Sequence, residues 1–246
     1  MADIDSLVPP HEPAEDALAT VGKIALSLMI PGAGPILAEV LGHAVATRQA
    51  AMQHDFNAAV ARELERVAAG VDEALTVEDV IASDEFIASM TRASRVASET
   101  SSHAKRRRLA AAVANGGPWA AFPSARRERF TKLVNDYDDL HVWMLQYLND
   151  PEAWLQAHGI PYVGDGLVPP GPDHPLNAAF RVPAEVWQFQ VARRVADLDA
   201  ERLVRIPEAL QRTPGDPTWA KVTGVGREFL AFVGEPEPVA VPAPEL

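Results

Sequence analysis

Apolar residues recur along this chain with the 3.6-residue period of an α-helix. From residue 124 to residue 149, apolar side chains return every three or four positions, which predicts one long helix with its apolar face in a core. The same spacing predicts helices over residues 13–29 and 36–70, and several shorter ones farther along. These elements predict a mostly α fold, with a helical bundle over residues 13–158.

Side chains that accept hydrogen bonds from first-turn N–H groups mark where several of these helices begin. The predicted N-caps are Thr76, Ser83, Ser101 or Ser102, and Asp150. Thr76 and Asp79 have the spacing of a capping box, with aspartate in place of glutamate. Asn115, before Gly116, and Gly159 are placed to end helices.

Proline and glycine divide the chain into segments. Residues 159–182 are rich in both and predict a linker between the bundle and a second, smaller unit at residues 183–233. Residues 1–12 are acidic and carry no periodic pattern, and residues 234–246 are acidic and rich in proline. Both ends are therefore predicted to be disordered.

Residues 17–46 are the most apolar stretch, with Lys23 and Glu39 as its two formal charges. The sequence Ile30-Pro-Gly-Ala-Gly-Pro35 interrupts the stretch and predicts two helical arms. Each arm is shorter than the roughly 20 residues that one membrane span requires. We interpret these residues as an apolar hairpin buried in the bundle. The alternative is a hairpin that leaves the bundle and enters a bilayer.

Composition narrows the classes of function. The chain has 246 residues, a formal net charge of −12 and no cysteine. The acidity argues against a protein built mainly to bind nucleic acid, whose phosphates would repel it. The lack of cysteine excludes disulfides and thiolate zinc sites and fits a reducing compartment. With no basic stretch after Met1, we expect no signal peptide and a cytoplasmic protein.

The positive charges are concentrated in residues 92–132, which we call the basic belt. This range holds ten basic and two acidic side chains. Helix geometry places at least two of the four consecutive cations at 105–108 in solvent. The belt either faces acidic helices of the same chain and solvent, or it binds an anionic partner. The predicted partner-binding residues are Lys105, Arg106, Arg107, Arg108, Arg126, Arg127 and Arg129.

No pattern of residues predicts catalysis or a bound metal. The pairs Glu39/His43 and Asp138/His141 have helical spacing but lack further ligands at diagnostic spacings. We expect His141 at the edge of the core, and Asp138 and Asp139 in solvent. There is no nucleophile motif and no phosphate-binding loop. We therefore predict a protein that is not an enzyme and has no cofactor and no metal.

The segment 183–233 resembles the closing part of winged-helix proteins. The resemblance rests on a helix, the short apolar run Leu203-Val-Arg-Ile206, and the sequence Thr223-Gly-Val-Gly226 that precedes Arg-Glu-Phe-Leu. It implies that Leu203–Ile206 begins a wing and that Thr223 begins the last helix. The candidate DNA-binding residues are Arg193, Arg194 and Arg212. So few cations suit a protein-docking wing better than a DNA reader.

The helical part resembles a poorly characterised group of bacterial helical proteins that includes abortive-infection-type proteins of phage defence. The residues behind this resemblance are Ile30-Pro-Gly-Ala-Gly-Pro35, Asp84-Glu-Phe86, Thr100, Lys105-Arg106, Leu109 and Asn115. The order of apolar hairpin, long bundle helix and winged end adds to it. The resemblance implies a non-enzymatic accessory protein in phage defence or stress that acts through protein contacts. The alternatives are a transcription regulator that binds DNA through the winged part, and a membrane-acting effector that uses residues 17–46.

Overall fold

The computed structural model describes residues 34–70, 76, 79–80, 82–161, 175–181, 183–206 and 220–234. These residues form nine helices and one small antiparallel sheet, so the prediction of a mostly α fold is confirmed for the described part. Helices α1 to α9 span Gly34–Gly70, Asp84–Glu99, His103–Ala114, Ser124–Asp136, Asp139–Asn149, Pro151–Ala157, Pro175–Phe180, Ala184–Ala200 and Gly224–Phe232. Strands β1 and β2 span Val204–Arg205 and Lys221–Val222.

Helix starts follow the predicted caps. The Ser83 side chain accepts from the Phe86 N–H, and the Ser102 side chain accepts from the Lys105 N–H. Asp150 caps α6, which has proline at its first position, and Thr223 caps α9. The caps Ser83, Ser102 and Asp150 depend only on residues within one helical turn, which is why the local sequence was sufficient to predict them. Thr223 was expected to begin the last helix from the winged-helix resemblance.

The long helix predicted over residues 124–149 is wrong in one respect, because it is broken at Tyr137–Asp138. Tyr137 and Asp138 have extended backbone, and the Asp138 side chain accepts from the His141 N–H to start α5. The His141 imidazole closes the capping box on the Asp138 N–H. The break divides the predicted helix into α4 and α5, and every residue of α5 from 140 to 148 is buried.

Helix α5 lies at the centre of the fold. It packs against α6, α8, α9 and β2. A single core cluster of buried residues runs from Phe56 in α1 to Val233 after α9. Phe130 of α4 lies with its ring centroid 5.4 Å from those of both Phe229 and Phe232 of α9. The bundle and the C-terminal segment therefore share one core.

The segment predicted as a linker contains helix α7. Its Leu176 is fully buried, and Phe180 stacks on Trp187 of α8 with ring centroids 5.5 Å apart. Trp187 Nε1 donates to Asn177 Oδ1 at 2.7 Å. Proline at the first position suits a helix start, so the proline content of this segment does not prevent a helix at its end.

The two strands form a small antiparallel pair between α8 and α9. Val204 pairs with Val222, and Arg205 pairs with Lys221. A Cβ at position 226 would overlap the Leu203 carbonyl oxygen, so α9 approaches the strand this closely only because residue 226 is glycine. The described fold is therefore mostly helical with a small α+β end.

Other predictions concern residues that lie wholly or partly outside the described ranges. The acidic N-terminus 1–12, the first arm of the apolar hairpin and residues 235–246 of the predicted tail lie outside. Helix α1 enters the described range at Gly34, and all residues from 45 to 50 are exposed. Among the helices that the structure describes, none combines the length and the apolar composition that a membrane crossing requires.

Candidate functional site

The first two turns of α3 carry three cations that are bonded within the chain: Lys105, Arg106 and Arg108, the α3 cations. Lys105 Nζ donates to the Asn135 and Tyr137 carbonyl oxygens at 2.8 and 2.9 Å. These carbonyls lie at the C-terminal end of α4, where helices leave acceptors unpaired. Burial lowers the pKa of Lys105, and nearby Arg108 lowers it further. Lys105 therefore ties α3 to the end of α4.

Arg106 and Arg108 are buried, with 3% and 5% of their surface exposed. Arg106 donates to the Thr100 carbonyl at 2.8 Å. Arg108 forms an ion pair with Asp139 of α5. The expectation that at least two of the four cations at 105–108 would be exposed is wrong, because only Arg107 is exposed and Lys105 is half-buried. Helices α1, α2 and α4 pack around α3 and enclose it.

The three predicted cations at the start of α4 also have partners in the chain. Arg126 pairs with Glu228 of α9 at 3.5 Å, and Arg129 pairs with Glu201 at 3.0 Å. Arg127 donates to the Phe122 carbonyl at 2.7 Å. Of the seven predicted partner-binding residues, six therefore hold parts of the same chain together, and Arg107 is the exposed member.

A groove between α2 and α4, the α2–α4 groove, brings two other cations of the belt together. It consists of two adjoining cavities of about 420 and 480 Å³. Both are lined by Arg92, Glu128 and Thr131, and the second is also lined by Lys132. Arg92 and Lys132 are exposed and have no hydrogen bond or ion pair with any residue that the structure describes. Unlike the α3 cations, these two can receive an anionic ligand.

The two ends of the α2–α4 groove differ in charge. The first cavity includes Asp84 and Glu85, and the Glu85 carboxylate accepts from Ser83 Oγ at 3.0 Å. The Glu85 carboxylate interacts with the Glu85 backbone N–H and accepts from the Ser83 hydroxyl, and these hydrogen bonds lower the pKa of Glu85. The second cavity has Arg92, Arg129 and Lys132 against the single carboxylate of Glu128. The second cavity is the more favourable place for negative charge.

Neutral polar side chains complete the α2–α4 groove. Thr131 and Asn135 lie near the cations of the second cavity and can donate hydrogen bonds to carboxylates. Ser89 lines the first cavity, and its buried Oγ has no partner among the described residues. Arg92 and Lys132 belong to the basic belt, but they are not among the predicted partner-binding residues. The available signal was the polar spacing of 85, 89 and 92 on α2 facing 128, 131 and 135 on α4.

A second cluster of charged groups joins α8 to the break between α4 and α5. Arg194, a candidate DNA-binding residue, donates from Nη2 to Asp138 Oδ2 at 2.8 Å and also bonds Gln190. Burial acts to raise the pKa of Asp138, but hydrogen bonds from His141 and Arg194 outweigh it and hold that pKa well below its ordinary value. Asp138 and Asp139 are partly exposed to solvent, as expected, but each carboxylate also pairs with an arginine of another helix.

His141 is buried at this junction, as the sequence predicted for a core-edge imidazole. Its Nδ1 lies 2.6 Å from Asp138 Oδ1, and its Nε2 lies 3.3 Å from Asp197 Oδ2. The ring stacks on Tyr137 with centroids 4.4 Å apart, and burial raises the pKa of the Tyr137 hydroxyl. Because both ring nitrogens face carboxylates, this imidazole orients helices and offers no open nitrogen to a substrate.

The remaining predicted sites are placed as follows. Arg193 is exposed and has no partner among the described residues, and Arg212 lies outside them.

In the part of the chain that the structure describes, no three histidine or acidic side chains are arranged to hold a metal ion. The most exposed large apolar side chain described is Phe189 on α8, at 73%, with Val186 beside it at 51%.

No protein-family model, curated protein or solved structure matches this chain.

Proposed function

We propose that this chain is a non-enzymatic accessory protein that binds an acidic partner protein in the α2–α4 groove. The observation that carries the proposal is the pair Arg92 and Lys132. Both line the second cavity and lack partners among the described residues, whereas six neighbouring cations of the basic belt are bonded internally. A basic groove with hydrogen-bonding side chains is suited to aspartate and glutamate side chains of a partner.

The setting of this binding activity is a further part of the proposal. The resemblance of the helical part to abortive-infection-type proteins suggests a role in phage defence or stress, in the bacterial cytoplasm. A non-enzymatic role is supported by His141, whose two nitrogens are both engaged by carboxylates. Arg194 and Asp138 satisfy each other in the same cluster.

We interpret the C-terminal segment as a winged-helix-like module for docking proteins, in preference to DNA. Its order of α8, β1, β2 and α9 supports the winged-helix interpretation. The exposed face of α8 carries Val186 and Phe189. Of the two cations of α8, Arg194 is paired with Asp138, and Arg193 is the one that is exposed without a partner among the described residues. A helix that reads the major groove needs several free cationic or amide side chains. The apolar face therefore favours protein docking over DNA contact.

The test measures binding of a fluorescein-labelled twelve-residue polyglutamate peptide by fluorescence anisotropy, across a salt series. The double variant Arg92→Glu, Lys132→Glu is expected to bind at least about tenfold more weakly than the wild type, or about 1.4 kcal/mol. The matched control is Arg107→Glu, Arg193→Glu, which makes the same charge change at two exposed sites elsewhere. We expect the control to retain most of the binding.

Equal losses in the two double variants would show that binding reflects net charge alone and would refute the groove. A labelled duplex DNA of mixed sequence is titrated in parallel. DNA binding that is tight and falls steeply with salt would support the transcription-regulator alternative instead.

A further inference from the structure

We propose that residues 235–246 of this chain bind in the α2–α4 groove and compete with the acidic partner. The inference rests on the proposed function of that groove and adds a means of regulating it. The segment Glu-Pro-Glu-Pro-Val-Ala-Val-Pro-Ala-Pro-Glu-Leu begins two residues after the end of α9, following Val233 and Gly234. It contains three glutamates and no basic residue, so its charge is opposite to that of the second cavity.

The chain leaves α9 close to the elements that border the groove. Asn115 Nδ2 donates to the Phe232 carbonyl at 2.8 Å, and the next residue, Gly116, lines the first cavity. Glu228 of α9 pairs with Arg126 of α4. Gly234 has a φ of +73°, a conformation that glycine adopts at low cost. A Cβ at this position would lie 3.3 Å from Ala111 of α3 and 3.7 Å from the Glu63 carboxylate of α1.

The segment, when extended, is longer than the wall of the groove. Twelve extended residues span roughly 40 Å. The sixteen residues of α2, which form one wall, span about 24 Å. Four of the twelve residues are prolines, which reduce the conformational entropy that a peptide loses when it binds in an extended form.

Attachment to the same chain makes even a weak contact effective. A short linker gives a tethered segment an effective concentration in the millimolar range. The groove would then be occupied by this segment for much of the time, and an acidic partner would have to displace it. The apparent affinity of the groove for any acidic ligand would fall in proportion to the unoccupied fraction.

The test uses the full chain with Glu235→Gln, Glu237→Gln and Glu245→Gln combined. This variant is expected to bind the labelled polyglutamate peptide about fivefold more tightly than the wild type, because the competing charges are removed. In the background of Arg92→Glu, Lys132→Glu, the triple glutamine change should have no effect. Equal affinities of the wild type and the triple variant, both dependent on Arg92 and Lys132, would overturn this inference and leave the proposed function standing. No binding by either would overturn both.

A second measurement locates the segment directly. A carbodiimide couples carboxylates to adjacent amines, so Lys132 should be joined to Glu235, Glu237 or Glu245 within one molecule, as identified by mass spectrometry. Lys132→Arg keeps the charge and should abolish this product, while Lys221 on β2 serves as the exposed control amine. Coupling to Lys221 at the same yield, or only between two molecules, would refute intramolecular docking in the groove.

Discussion

The α3 cations and the cations of the α2–α4 groove belong to the same basic belt but have different roles. Arg106 and Arg108 are almost completely buried and bonded to groups of the same chain. Arg92 and Lys132 are exposed and have no described partner. A run of charge along a sequence therefore does not correspond to one surface. Burial, which depends on the surrounding helices, separates cations that hold the fold together from cations that can bind a ligand.

The energetic reason for the difference is the cost of removing a charge from water. That cost is several kcal/mol for each ion, so a buried arginine persists only with a close partner. Asp139 supplies the partner of Arg108 from another helix, and it also lies 2.5 Å from Ser102 Oγ. An exposed cation pays no such cost and needs no partner. Substitution of a buried cation should therefore lower the stability of the fold, whereas substitution of an exposed cation of the α2–α4 groove should weaken binding and leave stability nearly unchanged.

The largest effect on stability is expected for Arg108→Met. The substitution leaves Asp139 without its ion pair, and we expect the free energy of unfolding to fall by about 2–3 kcal/mol, since Asp139 is partly exposed and can be rehydrated. Urea denaturation followed by circular dichroism measures the loss. Arg107→Met is the control and should change the free energy by less than about 0.5 kcal/mol. Equal losses at 107 and 108 would contradict the distinction between them.

A smaller effect is expected where Asp138 joins α8 to the break between α4 and α5. Asp138→Ala removes the cap of α5 and the partner of Arg194, and should cost about 1–2 kcal/mol of unfolding free energy. The control is Asp136→Ala, two residues earlier and exposed, for which we expect little change. Thermal denaturation measures the stability of each variant against that of the wild type. A neutral Asp138→Ala would show that this cluster contributes nothing to the fold.

The same cluster predicts how stability depends on pH. The pKa of Asp138 in the folded protein is lower than its ordinary value of about 4, so its stabilising contribution is present above pH 4 and is lost as the pH falls toward the folded pKa. Because the side chain is 47% exposed, we expect the contribution to be below about 1 kcal/mol. The difference in unfolding free energy between wild type and Asp138→Asn should shrink between pH 5 and pH 3. A constant difference would exclude this titration.

Sequence reasoning succeeded where the information was local and failed where distant residues meet. Ser83, Ser102 and Asp150 act on N–H groups within their own first turn, so their roles could be predicted from the local sequence. The break at Asp138 could not, because the apolar spacing continues through it.

The candidate site shows the same limit. Arg194 and Asp138 are 56 positions apart, and Arg108 and Asp139 are 31 apart, so no pattern in the sequence joins them. The partners of Lys105 and Arg108 are known only once α4 and α5 pack against α3. The α2–α4 groove likewise requires two helices to be placed side by side. The charges of the belt were evident in the sequence. Which of these cations have a partner among the described residues, and which do not, was not evident.

The smallest effect on stability is expected for Arg92→Ala combined with Lys132→Ala. Neither side chain makes a hydrogen bond or ion pair with the described residues, so their loss should change the free energy of unfolding by less than about 0.5 kcal/mol. Binding of the polyglutamate peptide should nevertheless weaken, because the second cavity loses two of its three cations. Urea denaturation and anisotropy on the same preparation measure both quantities. A loss of stability above about 1 kcal/mol, with binding unchanged, would place these cations with Arg106 and Arg108 as supports of the fold.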